Sequence, residues 1–430
     1  MSRTAEAVLV LASAGLAAFG VLLVNFAQGA HLNADTVLTL VVFVVVFGGL
    51  LAAVSWWAPR SVPFLIPLAA TLTAVGFVIV YRLDRGLAGA QGWWLLSSAG
   101  LAALWLLSAR GKGVRPLARH RYVFLAASIA LAALPLIPPI GPIPLHGLQI
   151  NGSRLWIEWD RGVRLLLQPG EVARVLLVVF LASFISEHQA ALSVAGRTAG
   201  RFRLPQPRGL APVGVAWIAS VGVLVYMRDL GASLLVFGVF LIMLYMGTNR
   251  PSYLATGSGL FVTGVAITYI LAAHVRDRID AWLDPWTNLE GTGHQIVQGL
   301  FALGAGSLSG TGLGLGEPDL VPAAATGHVF AASAEELGLA GSVVVLAAHA
   351  LLVGVGFGIA LRARDLFQKL LAAGLSSMLG LQTVLVVSGV IRLLPVTGLA
   401  TPFMSSGGSS TVAGFLLVAI LARISHEERT

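Results

Sequence analysis

Long, nearly uninterrupted apolar runs dominate the chain and restrict what it can fold into. Each run approaches the roughly 20 residues that an α-helix needs to cross the hydrocarbon of a bilayer. Apolar residues make up 57% of the 430 residues and charged residues only 11%. A transmembrane β-barrel would alternate apolar and polar residues with period two, whereas these runs are continuous. The sequence therefore predicts an all-α polytopic membrane protein.

Twelve candidate spans can be read from the apolar runs, and their even number places both termini on one side of the membrane. With both termini in the cytoplasm, most of the 27 Lys and Arg fall in short cytoplasmic loops, in agreement with the positive-inside rule. The first run is longer than the apolar core of a signal peptide, so we expect an uncleaved first helix. The predicted limits are 7–29, 36–56, 63–81, 91–109, 122–139, 168–187, 210–227, 230–247, 252–273, 331–361, 366–391 and 409–424.

Charge and cysteine content exclude several classes of function. The net charge of +8 is explained by basic cytoplasmic loops, so no nucleic-acid partner is expected. The chain has no cysteine, which excludes disulfides, iron–sulfur clusters and thiolate catalysis. Carboxylates are too sparse to form a recognisable metal site. No resident cofactor is therefore predicted, although a divalent cation could assist a reaction.

Two long segments are predicted to lie outside the cell, over 140–167 and 274–330. The second is rich in glycine and is the large extracellular loop of the predicted fold. Long loops in compact proteins are usually functional. We therefore expect the functional site on this side of the membrane.

Ionisable residues beside or within the apolar runs are expensive to place there and are candidates for function. Glu171 and Arg174 lie three residues apart, so on a helix they share a face and can pair. The pair is interpreted either as a structural staple or as a cation held ready for an anionic headgroup. Asp229 lies between two runs, either in an exposed turn or facing a cavity.

Further charged residues mark the two external segments. Glu335 and Glu336 lie at the start of the tenth predicted span, where a helix dipole favours carboxylates, and we expect only one of them to face a cavity. In the first external segment, Arg154 could contact a phosphate. Trp156 is typical either of a membrane interface or of the same site.

The stretch RLLPVTGLATPFMSSGGSS (392–410) interrupts two apolar runs with backbone that cannot be a regular helix. Irregular backbone at membrane depth survives only when it is buried in protein or lines a wet cavity. Gly407 and Gly408 permit close approach and positive φ, and several hydroxyls are available. We expect this segment at the mouth of a water-filled polar cavity.

These segments resemble the SEDS family (shape, elongation, division and sporulation), in its RodA/FtsW branch. The resemblance is carried by the 392–410 stretch and by NGSRLWIEW, LQPGEVARVLL, RDLGASLL, the glycine-rich loop and AEELGLAG, in order, over at least 150–425. It implies a core of about ten helices. Two additional helices precede that core here, which gives one integral membrane domain (1–430) with N-terminal helices (1–140) and a SEDS core (141–430).

The resemblance also implies an activity, a location and a partner. The family polymerises lipid II, a polyprenyl-pyrophosphate-linked glycan, in the bacterial cytoplasmic membrane, together with a class B penicillin-binding protein. Such chemistry needs cations for the pyrophosphate, and a general base for the acceptor hydroxyl. Arg174 stands where the family usually has Lys. The residues assigned to substrate binding are Arg154, Trp156, Glu171, Arg174, Asp229, Gln295, Gln298, Arg392, Thr397, Ser405, Ser406 and Ser409.

The chain departs from the family at the expected catalytic position. Where relatives have an Asp, this chain has Gly327, which cannot take a proton. One explanation is that His328 is the base, since its ordinary pKa of about 6.5 suits the task. A second is that Glu335, Glu336 or Asp319 reaches the site.

A third explanation is a catalytically silent member that binds lipid-linked glycan or a partner as a scaffold or regulator. A transporter of lipid-linked oligosaccharides is a further alternative from another class. A transporter would more naturally show paired broken helices in two halves. Only one broken segment, at 392–410, is recognisable in the sequence.

Overall fold

The fold was analysed in a computed structural model, which describes residues 3–29, 34–138, 145–150, 153–160, 164–193, 195–199, 202–205, 222, 229–289, 291 and 293–429. Within these ranges the chain is mainly α-helical. The helices are α1 (Arg3–Ala27), α2 (Ala34–Trp57), α3 (Leu65–Leu83), α4 (Arg85–Ser108), α5 (Arg115–Arg119), α6 (Arg121–Ala133), α7 (Gly170–Glu187), α8 (Gln189–Ser193), α9 (Leu230–Thr248), α10 (Pro251–Leu271), α11 (Ala273–Leu283), α12 (His294–Gly306), α13 (Val329–Arg362), α14 (Leu366–Val390) and α15 (Gly408–Glu428).

The predicted spans correspond closely to these helices. In the described part of the chain, eight helices are long and apolar enough to cross a bilayer: α1, α2, α3, α9, α10, α13, α14 and α15. Three other predicted spans coincide with α4, α6 and α7. The predicted span 210–227 lies outside the described residues. The prediction of an all-α polytopic fold is confirmed.

Apolar side chains cover the surfaces that a bilayer would contact. Helix α10 is the clearest case, because Leu260, Ile270 and Leu271 are 67%, 73% and 79% exposed. Apolar patches of this extent are unfavourable in water. In a membrane the same side chains face lipid tails.

Two small sheets accompany the helices. Strands β1 (Leu145–Ile150), β2 (Ser153–Asp160) and β3 (Arg164–Leu167) form an antiparallel sheet in the order β1-β2-β3. Strands β4 (Ala195–Ala199) and β5 (Phe202–Pro205) form a two-stranded ladder. The first sheet lies in the predicted external segment 140–167, where the two Trp and the Ile of SRLWIEWD favour a strand.

The segment 274–330, predicted to be a long and structured loop between membrane spans, contains regular secondary structure. It contains most of α11, the whole of α12, and short 3₁₀ turns at Pro285–Asn288 and Pro318–Leu320. The high glycine content hid the helical spacing of apolar residues in α12, where Ile296, Val297 and Ala302 are buried. Periodic burial outweighed the low helix propensity of glycine there.

The described residues form two compact units that alternate along the sequence. The first unit is formed by segments within 1–113, 280–356 and 382–430, and the second by segments within 114–279 and 357–381. The division into N-terminal helices (1–140) and a core (141–430) stays a prediction.

Both chain ends lie at the same end of the first unit. The Arg3 guanidinium donates hydrogen bonds to the Pro59 carbonyl oxygen (2.8 Å) and to the Ser61 hydroxyl (2.9 Å). In the same loop, the backbone N–H of Arg60 donates to Nδ1 of His426 (3.2 Å). The loop between α2 and α3 therefore contacts both the first and the last helix.

Candidate functional site

The irregular segment between α14 and α15 is buried within the first unit. Its carbonyl oxygens over 400–405 accept hydrogen bonds from the side chains of Gln382 (2.8 Å), His349 (3.2 Å) and Gln91 (3.5 Å). These donors lie on three different helices, α14, α13 and α4. Side chains thus replace the hydrogen bonds that a helix would have supplied. Residues 401–405 are buried, so this part of the segment does not line the water-filled mouth that the sequence predicted.

Two glycines allow the segment to approach its neighbours closely. A Cβ on Gly76 of α3 would lie 2.3 Å from the Cα and carbonyl oxygen of Met404. A Cβ on Gly408 would lie 2.2 Å from the Trp94 ring. The close approach predicted at Gly408 is therefore confirmed. The positive φ that this glycine pair permits is not used at Gly407, which has φ −67°, whereas Phe403 in the same segment has φ 63°.

Two of the predicted serines attach this segment to the turn before α13. The Ser405 hydroxyl donates to the Thr326 carbonyl oxygen (2.6 Å). Both the backbone N–H and the hydroxyl of Ser406 lie 2.9 Å from the Ala325 carbonyl oxygen and donate to it. The hydroxyls therefore hold two loops together. Of the other two predicted hydroxyl residues, Thr397 is half-buried in the same irregular segment, and Ser409 is buried in the first turn of α15.

The position of the family's Asp has room for a side chain. Gly327 is partly exposed, and a Cβ built on it would lie 3.8 Å from the Leu399 carbonyl oxygen, an ordinary van der Waals distance. The glycine is therefore not required by packing. The structure places this position directly against residues 398–399 of the irregular segment.

His328 is a buried, neutral imidazole. It is 2% exposed, and burial lowers its pKa to about 4, so the ordinary value expected from the sequence is wrong. The Gln295 amide donates to Nδ1 (3.0 Å), which leaves the ring hydrogen on Nε2. That Nε2 atom is buried and has no hydrogen-bond partner among the described residues. Gln298, three residues after Gln295 on α12, is half-buried.

Helix α13 is broken at Gly338, which has φ 69° and ψ −171°. Glu335 and Glu336 therefore lie just before a helix break rather than at a helix start, and both are buried. The expectation of a helix-dipole position with only one inward carboxylate is wrong. Glu335 Oε1 accepts a hydrogen bond from the backbone N–H of Glu317 (2.7 Å).

The glycine loop, defined as residues 306–317, supplies the hydrogen bonds that are missing at this break. The N–H groups of Thr311 and Gly312 donate to the carbonyl oxygens of Glu335 and Glu336, each at 3.0 Å. A Cβ on Gly310 would lie 2.2 Å from the Glu336 carbonyl oxygen. The first unit therefore contains a second broken helix, which the sequence analysis missed because a single Gly in a helical pattern is usually tolerated. With this break and the irregular segment at 392–410, the described part of the chain has two broken segments, so their number does not count against a transporter.

Arg82 at the end of α3 completes this cluster and was not a sequence candidate. Its Nε lies 3.3 Å from Glu336 Oε1, and its Nη2 donates to the Gly316 carbonyl oxygen (2.8 Å). Nη2 is also 3.8 Å from the carboxylate of Asp319, which is 64% exposed. The only sequence signal was a cation at the end of a span, where an interfacial position is the ordinary explanation.

The Arg392 side chain donates hydrogen bonds to backbone carbonyl oxygens at the C-terminus of α11. Its Nε and Nη2 donate to the carbonyl oxygens of Trp282 (2.9 Å) and Leu283 (2.5 Å) at the end of α11. The Trp282 indole N–H donates back to the Arg392 carbonyl oxygen (3.1 Å). Cations are favourable at helix C-termini. Two of the guanidinium nitrogens of Arg392, which the sequence analysis assigned to substrate binding, therefore already donate hydrogen bonds within the protein.

In the second unit, the predicted pairing of Glu171 with Arg174 is confirmed. Arg174 Nη2 lies 2.5 Å from Glu171 Oε1, and both side chains are 5% exposed. Arg174 Nε donates to the Gly170 carbonyl oxygen (3.2 Å). Its Nη1 atom is buried and has no hydrogen-bond partner among the described residues. One donor of a buried cation is therefore unused.

Arg174 lines a small crevice with a cavity volume of about 10 Å³, which is room for roughly one water molecule. Every other lining side chain is apolar, and they come from α7, α9 and α14. The crevice thus combines one guanidinium with hydrocarbon walls. The apolar lining residues are Leu177, Val178, Leu181, Leu235, Val236, Val239 and Met378.

Asp229 caps the N-terminus of α9, where its carboxylate accepts a hydrogen bond from the Ala232 N–H (2.9 Å). Burial raises the pKa of this carboxyl, and the positive charges of Arg174 and Arg278 oppose that shift. Burial likewise lowers the pKa of Arg278 on α11. The alternative of an exposed turn at Asp229 is therefore wrong. Arg278 was missed because VRDRID is typical of a solvated helix face.

Arg154 and Trp156 lie on β2 on either side of a bulge, where they pair with the adjacent residues Gln149 and Leu148 of β1 and therefore do not share a face. Arg154 is exposed and Trp156 is half-buried opposite Leu148 on β1. Glu158 lies on the same face as Trp156 and is 3.6 Å from His146. Arg154 is therefore an exposed cation on this sheet.

The candidate residues thus form separate groups within each unit. In the first unit, Gln295 meets His328, and the 325–327 turn meets Ser405 and Ser406. A second group there contains Arg82, Glu335, Glu336 and Asp319. In the second unit, Glu171, Arg174 and Asp229 lie together. Among the residues that the structure describes, no three His, Asp or Glu side chains are grouped to hold a metal ion.

Comparison with known proteins identifies the family. A family model for FtsW, RodA and SpoVE, described as "Cell cycle protein", matches residues 63–430. The chain is 40% identical to the peptidoglycan glycosyltransferase RodA of Mycobacterium tuberculosis over 437 aligned residues, 99% of this chain and 91% of that protein. It is 32% identical to the stage V sporulation protein E of Bacillus subtilis, covering 70% of this chain and 77% of that protein.

Solved structures agree. A chain described under "Structural coordination of polymerization and crosslinking by a peptidoglycan synthase complex" has a TM-score of 0.65 at 25% identity, covering 86% of this chain and 98% of that chain. The Thermus thermophilus rod shape determining protein RodA has a TM-score of 0.56 at 25% identity, with the same coverage. The match over 63–430 also leaves α1 and α2 before the family core. The protein therefore belongs to the SEDS family of FtsW, RodA and SpoVE.

Proposed function

We propose that this protein polymerises peptidoglycan glycan strands from lipid II in the bacterial cytoplasmic membrane, together with a class B penicillin-binding protein. The name of the mycobacterial relative supports glycosyl transfer. The solved peptidoglycan synthase complex supports work in an assembly. Basic residues in the short loops and chain ends that meet at one end of the first unit favour cytoplasmic termini.

The observation that carries this proposal is the buried guanidinium of Arg174, which has an unused donor beside a small and otherwise apolar crevice. A polyprenyl chain needs hydrocarbon contacts, and its pyrophosphate needs a cation. Guanidinium groups bind phosphate oxygens through charge-assisted hydrogen bonds. Glu171 holds the side chain through Nη2, and Nη1 remains to donate to an anion.

The proton of the acceptor hydroxyl needs another recipient, because Gly327 has no side chain. Of the four acid–base candidates, His328, Glu335 and Glu336 are buried. Asp319 alone among them has an exposed carboxylate, and its Oδ1 lies 3.8 Å from Nη2 of Arg82. We assign the role of general base to Asp319 on accessibility.

Reconstitution with fluorescent lipid II tests the proposal. The protein and its cognate penicillin-binding protein are placed in liposomes, and products are separated as a glycan ladder. We expect a ladder from the native chain, loss with Arg174→Ala and with Asp319→Asn, and retention with Arg174→Lys. Arg276→Ala on the exposed face of α11 is the matched control. Parallel reactions with EDTA determine whether the pyrophosphate needs a divalent cation.

A second candidate function is a catalytically silent scaffold or regulator that binds lipid-linked glycan. The specific observation in its favour is Gly327, where a side chain would fit and none is present. This candidate predicts no ladder from the native chain, retained binding of labelled lipid II, and a ladder from Gly327→Asp. A ladder from the native chain would exclude it.

A further inference from the structure

The first two helices precede the family core, yet the end of α1 meets the glycine loop. A Cβ on Gly314 would lie 2.7 Å from the Cβ of Ala27 and 3.3 Å from the Cα of Val24. Gly314 has φ +81°, a left-handed conformation that favours glycine. The backbone of the glycine loop therefore packs directly against the last turn of α1.

Polar contacts fix the same ends of α1 and α2 to the end of α3. The Tyr81 hydroxyl donates to the Asp35 carboxylate (2.8 Å) at the start of α2. Arg85 Nη2 donates to the side-chain oxygens of Asn25 (3.2 Å) and Gln28 (3.1 Å) at the end of α1. Asn25 is fully buried. The three helix ends are thereby held in one arrangement.

Arg82 lies between these residues in sequence and reaches the glycine loop instead. It donates to the Gly316 carbonyl oxygen and lies beside Glu336 at the break of α13. The loop is thus held on one side by α1 and α3 and on the other by the broken helix. The chain then continues directly into Asp319 and the turn that carries Gly327.

We propose that α1 and α2 are a positioning element that holds the glycine loop, and through it the residues from Asp319 to Gly327, in the conformation used for glycan transfer. The catalytic half of this inference rests on the proposed function. The structural half, control of the loop by α1, stands without it. Arg82 and Tyr81 are positioning residues in this arrangement.

A mutant cycle tests the contact between Gly314 and Ala27. Gly314→Ala introduces a methyl against α1, and Ala27→Gly makes room for it at a helix end that tolerates glycine. Gly312→Ala is the matched control, because Gly312 also has positive φ (+99°) but its added methyl would meet only Leu315 of the same loop. If α1 positions the loop, Ala27→Gly relieves Gly314→Ala and not Gly312→Ala.

Two readouts separate structure from catalysis. The chain has no cysteine, so Leu320→Cys, at an exposed residue after the loop, gives a single site for a spin label. We expect Gly314→Ala to increase label mobility several-fold and to lower kcat with little change in KM for lipid II. Addition of Ala27→Gly restores both at least in part.

Specific results would overturn the inference. Failure of Ala27→Gly to restore label mobility, or equal relief of Gly312→Ala, would show that α1 does not control the loop. A native chain without a glycan ladder would refute the proposed function, while the label would still decide the structural half. If Gly314→Ala does not fold, Tyr81→Phe is the milder variant. It removes the hydroxyl that donates to Asp35 and should mobilise the label in the same direction, and an unchanged label there would also count against the inference.

Discussion

Removal of Glu171 should test how far the second unit depends on its buried ion pair. In the native chain Arg174 uses Nη2 for Glu171 and Nε for the Gly170 carbonyl oxygen, and Nη1 has no partner among the described residues. Glu171→Ala therefore leaves a buried guanidinium with a single hydrogen bond. A charge in this state is far more costly than the loss of one surface contact.

The size of the effect follows from burial. Both side chains are 5% exposed, so solvent cannot replace the lost partner. Removal of one partner of a buried pair costs about 3–5 kcal/mol, whereas replacement of both by apolar residues is often close to neutral. Glu171→Gln keeps an acceptor without the charge and should lose about half as much, because hydrogen bonds to charged groups contribute roughly 1.5–3 kcal/mol.

Denaturant unfolding in mixed micelles measures these differences. We expect the order native, Glu171→Gln, Glu171→Ala from most to least stable, and a double Glu171→Leu/Arg174→Leu variant that recovers most of the stability. The double variant should still fail to polymerise lipid II, because the phosphate contact is gone. Equal midpoints for native and Glu171→Ala would refute the reasoning, as would a double variant less stable than both single leucine variants.

Three other perturbations probe the remaining parts of the structure. Gly76→Ala forces a methyl against the Met404 backbone and should destabilise by about 1–3 kcal/mol through overpacking, while Gly15→Ala on α1, with open space around it, should be neutral or slightly stabilising in the same thermal unfolding assay. Burial raises the pKa of Asp229, so its contribution to stability is present below the ordinary value of 3.8 and is lost as pH rises through the folded-state pKa. Asp229→Asn keeps the helix cap and should raise stability at pH 7 and flatten the pH profile, and unchanged profiles would contradict this. The pKa of His328 falls from 6.5 to about 4, so about 3 kcal/mol of stability is lost as pH falls through that window; His328→Phe should remove this dependence, which unfolding at stepped pH would reveal.

Local patterns were enough to predict the spans and one ion pair. The apolar runs predicted eleven helices with limits within about six residues of those observed, because a helix in lipid must satisfy its own backbone. The pairing of Glu171 with Arg174 followed from spacing alone, since residues three apart on a helix are neighbours. The family segments were equally readable, because each is a contiguous stretch.

Contacts between distant parts of the chain were not predictable in the same way. Arg82 and Glu336 are separated by more than half of the sequence, and only the fold brings them to 3.3 Å. The break of α13 at Gly338 depends on the glycine loop, which is distant in sequence. The N–H groups of this loop donate hydrogen bonds to the carbonyl oxygens just before the break. Nothing local distinguishes that glycine from one inside a regular helix.

The environment of His328 and Arg392 was likewise decided by tertiary structure. Sequence chemistry offered an imidazole of ordinary pKa and a free guanidinium. In the fold, the imidazole of His328 is buried, and the guanidinium of Arg392 donates hydrogen bonds to the end of α11. Hydrophobicity and helical hydrogen bonding act over a few residues, so the sequence by itself determined the membrane helices and the family. Desolvation and partner choice act over distances set by the whole fold, so only the tertiary structure decided which polar groups are paired, buried or open to a substrate.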